Sequence, residues 1–324
     1  MYQKIREPVE NDFHEVNKFI VEQLHSEVSL VESIGHYIVE AGGKRMRPIL
    51  VLLAARGNGI ENDLHIPMAA VIEFIHTATL LHDDVVDMSE LRRGRPTVNA
   101  EWNNPSSVLV GDFIYSRAFQ VLVQIADMRI MEIIANTTNR IAEGEVLQLI
   151  EKSNPQTSEE NYMRVITNKT AILFQAAAQC GAILSKSDSE IEEALRSFGM
   201  QLGLAFQLID DVLDYSGTAD ELGKNVGDDL SEGKSTLPLI YASKNGSTAQ
   251  RKVILESLNA KKLTKGMFDI VIEIVQDWGV IDYTKTLAEG RAESATNYLL
   301  QNLPKSEYRD SLEKMVEFSI NRTN

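Results

Sequence analysis

The sequence has few of the residues that mark several protein classes. Its 324 residues include one cysteine, Cys180, so no disulfide can form within the chain. Only eight residues are proline and 6% are aromatic, and long segments follow the helical period instead. No stretch of about 18 residues is apolar and free of charge, which predicts the absence of a transmembrane helix. The first residues, MYQKIREPVENDF, lack the apolar region of a secretory signal, and the prediction is a cytoplasmic protein.

Basic residues are also scarce relative to acidic ones. There are 32 lysines and arginines against 47 aspartates and glutamates, a net charge of −15. Such a charge opposes nonspecific binding to nucleic acid and to anionic lipid, so no nucleic-acid partner is expected. The few clusters of basic residues stand out against this background, and a small, highly charged ligand would account for them.

Hydrophobic residues recur with a period near 3.6 in four long segments, which predicts helices over 68–87, 107–126, 128–150 and 194–215. Further amphipathic helices follow residue 247. No segment alternates like a convincing strand, and no repeat or flexible linker divides the chain. The pattern predicts one all-α domain over residues 1–324, built around unusually apolar central helices.

Two of the apolar segments end in the same aspartate pattern. In LLHDDVVD, Asp83 and Asp87 share a helical face about 6 Å apart along the axis, and LIDDVLDY repeats the pattern with Asp210, Asp211 and Asp214. Like charges at this spacing destabilise a helix unless a cation lies between them. Mg²⁺ prefers oxygen ligands combined with substrate phosphates. The two motifs predict an apolar cavity with a metal-binding mouth, suited to a hydrocarbon tail with a diphosphate head.

Short basic motifs complete this hypothesis, because arginine and lysine bind phosphate oxygens. The candidates come from GGKRMRP, RRG, NKTA and GKNVGDDLSEGKSTLP, and they are Lys44, Arg47, Arg92, Arg93, Lys169, Lys224 and Lys234. Each cluster alone is more often solvated surface, but their occurrence beside two aspartate motifs favours a site. His76 lies about 10 Å below Asp83 on nearly the same stripe. It is either a core histidine or a contact for a second phosphate-bearing substrate, and not a metal ligand.

With these residues identified, the chain resembles the trans-isoprenyl diphosphate synthases. The motifs run in order along nearly the whole sequence: GGKRMRP, FIHTATLLHDDVVD, RRG, VLVGDFIYSRAFQ, AEGEVLQL, NKTA, AFQLIDDVLDY and GKNVGDDLSEGKSTLPLI. The resemblance implies an isoprenoid-synthase-type helical bundle around a deep central cavity, and a homodimer. It also implies head-to-tail condensation of an allylic diphosphate, such as farnesyl diphosphate, with isopentenyl diphosphate, which would supply a quinone side chain. Membrane contact would be transient, during product release.

The resemblance also implies roles for individual residues. Three Mg²⁺ ions would bind Asp83, Asp87 and Asp210, with support, directly or through water, from Asp84, Asp211 and Asp214. The allylic diphosphate would be held by Arg92, Lys169, Lys224 and Lys234. Isopentenyl diphosphate would be held by Lys44, Arg47, His76 and Arg93. Thr170 and Gln207 are candidates for the oxygens that face the carbocation, and the departing diphosphate would take the final proton.

The family resemblance assigns the cavity floor to the residues four and five positions before the first aspartate. These are Thr79 and Ala78, and both are small, which implies a long product: octaprenyl first, with hexaprenyl to decaprenyl open. Ideal helix geometry puts Thr79 rather than Ala78 beneath Asp83, and the sequence leaves that choice open. Met88 stands where relatives often carry an acidic residue, and Ser235 stands where many carry proline. Neither change removes a proposed ligand.

Three other functions are weighed against this one. A terpene cyclase would usually replace the second aspartate motif and lack GGKRMRP. A non-catalytic partner subunit would lose aspartates, whereas this chain keeps all six. A short-chain synthase would carry aromatic residues near the first motif, where Ala78 and Thr79 lie.

Overall fold

The computed structural model describes residues 1–152, 154, 156–216, 227–260, 263–277 and 279–322. The first half of the chain forms helices α1 (Tyr2–Arg6), α2 (Glu10–Gln23), α3 (Ser29–Glu40), α4 (Met46–Gly57), α5 (His65–Val86), α6 (Val98–Glu101), α7 (Asn104–Ile125) and α8 (Met128–Glu151). The second half adds α9 (Glu159–Ile166), α10 (Ile172–Leu184), α11 (Ser189–Ser216), α12 (Asp228–Ser231), α13 (Leu237–Asn245), α14 (Thr248–Leu258), α15 (Lys265–Asp277), α16 (Val280–Asn302) and α17 (Glu307–Asn321). The prediction of an all-α fold is confirmed.

The four long helices predicted from periodicity are α5, α7, α8 and α11, with ends that differ by a few residues. Local capping explains two of the beginnings. The side chain of Asn103 accepts a hydrogen bond from Ser106 N at the start of α7, and that of Asp127 accepts from Arg129 N and Ile130 N at the start of α8. Each cap satisfies backbone donors that the helix itself leaves unpaired.

The centre of the bundle is formed by α4, α5, α10 and α11, whose apolar residues are buried on most sides. Helix α11 packs between α10 and α16, and α5 packs between α4 and α7. Glycine permits the closest approach: a Cβ at Gly203 would lie 2.6 Å from Ala171 Cα, and one at Gly199 would lie 2.4 Å from the carbonyl oxygen of Phe174. These two glycines therefore allow α11 to pack closely against α10 and against the turn before it. Part of the site depends on this packing.

One expectation is wrong: residues 91–96 form a small antiparallel hairpin of strands β1 (Leu91–Arg92) and β2 (Arg95–Pro96). Its two turn residues, Arg93 and Gly94, have φ angles of 54° and 74°. Positive φ at both turn positions is typical of the tight turns that match the twist of a hairpin. Two-residue strands are too short to show alternation, so the sequence pattern could not reveal them. The hairpin holds RRG close behind the first aspartate motif.

Helix α7 also departs from expectation. Its length and composition would allow it to cross a membrane, and 39% of its most apolar 18-residue stretch is buried. Its inner face packs along α5, and the hydroxyl of Ser107 donates to the carbonyl oxygen of Leu81 at 2.8 Å. Helix α7 is thus a partly buried helix of the bundle, and its exposed residues include the apolar Val108, Leu109 and Val123.

Candidate active site

The predicted site residues converge on one cleft of about 580 Å³. Its walls come from the start of α4, from α5, from the hairpin, from α8, from α11 and from the turn between α9 and α10. Of the predicted residues, the cleft is lined by Lys44, Arg47, His76, Thr79, Asp83, Asp87, Arg92, Arg93, Lys169, Thr170, Gln207, Asp210 and Lys234. Residues more than 190 positions apart in sequence thus share one concave surface. Lys224 lies outside the described residues.

Helix α5 supplies one wall through residues spaced three or four apart. His76, Thr79, Asp83 and Asp87 all line the cleft, as expected for a single helical face. Ala78 is fully buried and is not among the lining residues. The geometry therefore agrees with ideal helix spacing, which puts Thr79 on the face of Asp83.

The six motif aspartates divide into two groups. Asp83, Asp87 and Asp210 line the cleft, whereas Asp84, Asp211 and Asp214 are buried behind it with 3%, 2% and 0% exposure. Asp84 accepts three hydrogen bonds from the guanidinium of Arg92, the shortest being 2.6 Å. A carboxylate oxygen of Asp214 accepts from the backbone N–H of Asp229 at 3.2 Å. The carboxylates of Asp84 and Asp214 thus secure the hairpin and the first turn of α12.

Asp87 is surrounded by lysine. Lys234 Nζ donates to Asp87 Oδ2 at 2.7 Å, and Lys152 Nζ lies 3.7 Å from Oδ1. Burial alone would raise the pKa of Asp87, but Lys234, Lys169 and Lys152 outweigh burial and lower that pKa. Burial likewise opposes the charge of Lys234, yet Asp229, Glu232 and Asp87 raise its pKa. Both groups are therefore charged at neutral pH, and the mouth combines anionic and cationic side chains.

Lys169 lies on an irregular segment, Thr167–Ala171, which forms one π-helical turn between α9 and α10. Its ammonium group lies 2.7 Å from Glu145 Oε2, 2.7 Å from Gln148 Oε1 and 3.5 Å from Asp83 Oδ2. Helix α8 can approach because of Gly144, where a Cβ would lie 2.8 Å from the backbone nitrogen of Lys169. Lys169 therefore joins α8 to the acidic face of α5.

Glu145 lines the cleft and Gln148 lines a smaller cavity beside it; neither was predicted, although both lie in the AEGEVLQL motif. Burial and the neighbouring Asp83 together raise the pKa of Glu145 to about 7, against the opposing effect of Lys169. Glutamate on a polar helical face is ordinary in sequence, so only the approach of α8 to the π-turn identifies it.

The opposite end of the cleft is cationic. Burial lowers the pKa of Arg47 to about 10, although Glu73 and Asp210 oppose the change. Burial is also the first cause that lowers the pKa values of Lys44 and Arg93. At these three side chains, the nearby negative charge does not offset the effect of burial on the pKa. The arrangement is suited to binding a polyanion.

His76 completes this basic end as a neutral group. Burial first, and then Arg47, Arg93 and Arg92, hold its pKa well below the usual 6.5. Its Nε2 lies 3.2 Å from Arg47 Nη1, and a guanidinium can only donate. Nε2 is therefore an acceptor that orients Arg47, whose guanidinium also lies 4.3 Å from the Phe174 ring centroid.

Two more residues at this end were missed by sequence reasoning. Glu73 lies one turn before His76 and lines the cleft, with Oε1 3.7 Å from Arg45 Nε. Burial raises the pKa of Glu73, while Arg45, Arg93 and Arg47 lower it. The spacing of Glu73 from His76, three residues on the same helix, was a usable signal.

Arg322 reaches the cleft from just beyond α17. Its Nη2 lies 2.6 Å from Asp210 Oδ1 and donates to the carbonyl oxygen of Phe206 at 2.7 Å. Its guanidinium also lies 3.6 Å from the centroid of the Phe206 ring. No motif around Arg322 indicated this contact, because it depends on how the last helix packs across the bundle.

Thr170 and Gln207 meet between the acidic and basic ends. Thr170 Oγ1 donates to Gln207 Oε1 at 2.9 Å, and Gln207 Nε2 donates to Asp211 Oδ1 at 2.8 Å. Tyr162 Oη donates to Asp211 Oδ2 at 2.5 Å. Burial, with Asp229 and Asp210, raises the pKa of Asp211 to about 8, opposed by the hydrogen bonds from Tyr162 and Gln207. Asp211 is therefore tied to protein donors.

The acidic side chains fit a metal ion that a ligand completes. Within the ranges that the structure describes, no three histidine, cysteine, aspartate or glutamate side chains lie close enough together to hold a metal by themselves. Asp83, Asp87 and Asp210 nevertheless offer carboxylate oxygens to one cleft. Mg²⁺ is usually bound by one or two carboxylates plus substrate phosphates. The donor chemistry therefore suits a hard cation bound together with a phosphate group.

Comparison with known proteins agrees with this geometry. The polyprenyl synthetase family model matches residues 28–275. The octaprenyl diphosphate synthase of Escherichia coli strain K12 is 48% identical over 323 residues, covering 99% of this chain and 98% of that protein. The all-trans-nonaprenyl-diphosphate synthase (geranyl-diphosphate specific) of Rhodobacter capsulatus is also 48% identical, over 99% of this chain and 98% of that one.

Solved structures are also similar to this chain. A polyprenyl synthase from Caulobacter crescentus, crystallised with calcium and isoprenyl diphosphate, superposes with a TM-score of 0.97 at 40% identity, covering 100% of this chain and 98% of that one. The chain belongs to the polyprenyl synthetase family. It is accordingly a prenyltransferase.

Proposed function

We propose that this chain is a long-chain trans-polyprenyl diphosphate synthase whose principal product is octaprenyl diphosphate. It extends an allylic diphosphate, preferably farnesyl diphosphate, by successive head-to-tail condensations with isopentenyl diphosphate. The observation that carries the proposal is the single cleft that is lined both by the acidic side chains of Asp83, Asp87 and Asp210 and by the basic side chains of Lys44, Arg47 and Arg93. Two diphosphate substrates need these two kinds of binding group.

The allylic diphosphate binds at the acidic end. Asp83, Asp87 and Asp210 would hold about three Mg²⁺ ions, which would supply positive charge to offset that of the leaving diphosphate. Lys169 and Lys234 lie among these carboxylates and donate to the same phosphates. Asp84, Asp211 and Asp214 act indirectly, since their carboxylates are engaged with protein donors behind the cleft. Lys224 is assigned to the same diphosphate by family resemblance alone.

Isopentenyl diphosphate binds at the basic end. Lys44, Arg47 and Arg93 hold its diphosphate, and neutral His76 keeps Arg47 oriented. Arg92 lines the cleft beside them, and its guanidinium also donates hydrogen bonds to Asp84. Arg92 therefore has a structural role in addition to its contact with phosphate. Fixing both substrates in one cleft turns their encounter into an intramolecular step.

The condensation needs no protein nucleophile. Cleavage of the allylic C–O bond leaves a carbocation and diphosphate, and lysine and arginine side chains stabilise the departing anion. The oxygens of Thr170 and Gln207 lie where they can face the cation. The double bond of isopentenyl diphosphate attacks, and a proton then passes to the departed diphosphate, as in the family. The product is an allylic diphosphate five carbons longer, ready for the next cycle.

Quaternary state and location complete the proposal. The chain is a single polyprenyl synthase domain of residues 1–324 that works in the cytoplasm as a homodimer. Exposed apolar side chains on α7 and α8, such as Leu109, Val123 and Ile150, support an interface there, since 66–68% of each remains exposed. Release of a long hydrocarbon product involves brief contact with a membrane, and the product becomes the side chain of a quinone.

The test is incubation of the purified protein with farnesyl diphosphate, labelled isopentenyl diphosphate and Mg²⁺, followed by chromatography of the products. The proposal expects a ladder that ends near eight isoprene units. Products that stop at three or four units would favour a short-chain synthase instead. A complete lack of elongation would favour a non-catalytic partner subunit.

A further inference from the structure

Four side chains, two that line the cleft and two behind it, form an ordered chain of hydrogen bonds. It runs from Thr170 through Gln207 to Asp211, and Tyr162 donates to the far oxygen of Asp211, with separations of 2.9, 2.8 and 2.5 Å. Thr170 and Gln207 line the cleft. Asp211 and Tyr162 are 2% and 4% exposed and line a smaller cavity of about 110 Å³ beside it. The chain thus links a buried pair to two groups at the reaction centre.

The direction of each bond follows from the chemistry of the groups. The amide nitrogen of Gln207 can only donate, and it lies 2.8 Å from Asp211 Oδ1, which accepts from it. Its amide oxygen is then turned to Thr170, which uses its single hydroxyl hydrogen to donate to it. The remaining lone pairs of the Thr170 oxygen are left for the cleft. A flipped amide would instead donate to Thr170 and release the hydroxyl hydrogen toward the cleft.

We propose that Tyr162 and Asp211 are positioning residues which fix Gln207 so that Thr170 presents oxygen lone pairs to the allylic carbocation. The inference rests on the proposed function, because it concerns the cation formed in that reaction. Fixed dipoles stabilise developing charge without reorganisation at the moment of reaction. Tyr162 contributes the second donor that Asp211 needs in a buried site. Without it the carboxyl group is free to rotate, and Gln207 loses its fixed partner.

Tyr162→Phe is the sharpest test, since it keeps the ring that fills the space and removes only the donor. The measurement is the single-turnover rate of the first condensation with farnesyl and isopentenyl diphosphates. The rate is expected to fall about tenfold or more, as for loss of an aimed transition-state interaction. KM for both substrates and the Mg²⁺ concentration for half-maximal rate stay within about twofold, because neither diphosphate site changes.

A double-mutant cycle separates positioning from general packing. Thr170→Val removes the oxygen on which the chain acts, and it also slows the condensation. If Tyr162 acts through Thr170, adding Tyr162→Phe to Thr170→Val causes no further loss. Multiplied losses in the double variant would overturn the proposal, and so would full activity of Tyr162→Phe.

Controls keep this test distinct from that of the proposed function. Tyr283→Phe removes a hydroxyl that donates to Glu159 away from the cleft, and its rate should match that of the unmodified enzyme. If Tyr162→Phe does not fold, as judged by circular dichroism, Asp211→Asn enters the same cycle with the same expectation. An unmodified protein that fails to elongate would contradict the proposed function. An active protein with an unaffected Tyr162→Phe variant would contradict only this inference.

Discussion

At the scale of single residues, the cleft is organised by charge imbalance. At one end Asp87 binds two lysines, and at the other Arg47 and Lys44 have pKa values lowered by burial. The acidic end is nearly balanced by its own lysines, whereas the basic end has Glu73 as its main nearby carboxylate. Under the proposed function, the two ends would distinguish a substrate that arrives with metal ions from one that arrives as a bare anion.

Arg47 should control binding of isopentenyl diphosphate. Arg47→Lys removes a bidentate donor from the buried end, so KM for isopentenyl diphosphate is expected to rise about tenfold, or about 1.4 kcal/mol. The kcat value and KM for farnesyl diphosphate should change little. Steady-state kinetics measure this. Arg56→Lys is the matched control, since Arg56 lies on the same helix but pairs with Asp12. An equal rise in both KM values for Arg47→Lys would contradict the assignment.

His76 should make stability depend on pH. Its folded-state pKa lies well below 6.5, so below about pH 6.5 the unfolded chain binds a proton that the folded chain excludes. As the pH is lowered, the free energy of unfolding therefore decreases by up to about 1.4 kcal/mol per pH unit, until the pH reaches the folded-state pKa of His76. Urea unfolding at pH 7.5 and 5.5 measures this. His76→Gln is expected to lose less stability between the two values, and equal losses would refute the prediction.

Thr79 should influence product length. An aromatic ring in its place would project into the cleft below Asp83, so Thr79→Phe is expected to shift the product ladder to fewer isoprene units. Chromatography of labelled products measures the shift. Ala78→Phe is the comparison, since Ala78 is buried away from the lining residues and overpacking there costs about 1–3 kcal/mol of stability. An unchanged ladder from both variants would refute the idea of a floor at these positions.

At the scale of elements, the π-turn depends on its neighbours for its position. It carries Lys169 and Thr170 into the cleft, with α8 packed against it at Gly144 and α11 packed against it at Gly203. Neither contact has room for a Cβ. Lys169 and Thr170 are thus held in position by close backbone packing.

Gly203→Ala tests this dependence. The added Cβ would lie 2.6 Å from Ala171 Cα, so α11 or the turn must move, and both the midpoint of thermal unfolding and the condensation rate are expected to fall. Gly290→Ala is the matched control within helix α16, where nothing lies within 4 Å. There the higher helix propensity of alanine should stabilise by about 1 kcal/mol or less. A Gly203→Ala variant as stable and active as the control would contradict the packing argument.

Much of this architecture could be predicted from sequence because it repeats locally. The helical period located α5 and α11, and the aspartates at their ends indicated where the two helices lead. The hairpin and the π-turn could not be predicted, since each involves only a few residues and leaves no period. Tyr162, Glu145 and Arg322 were missed for another reason: their roles depend on which distant element each one contacts.

At the scale of the whole molecule, α7 and α8 expose several large apolar side chains, among them Leu109, Val123 and Ile150. Leu109→Glu would place charge at the proposed interface between two chains, so dissociation to a monomer is expected at micromolar concentration. Sedimentation equilibrium measures the mass. Val28→Glu is the control, because Val28 is also exposed, at 60%, but precedes α3 and belongs to neither α7 nor α8. Dimers of equal stability in both variants would contradict the assignment.

The buried arginines at the basic end affect more than binding. Burial lowers the pKa values of Arg47 and Arg93 despite the nearby carboxylates, which costs folding free energy, and a bound diphosphate would return part of it. The empty protein is therefore the less stable form. Since cellular proteases attack unfolded chains, scarcity of isoprenoid precursors should shorten the lifetime of the enzyme. Its abundance would then follow the supply of its own substrate without a dedicated regulator.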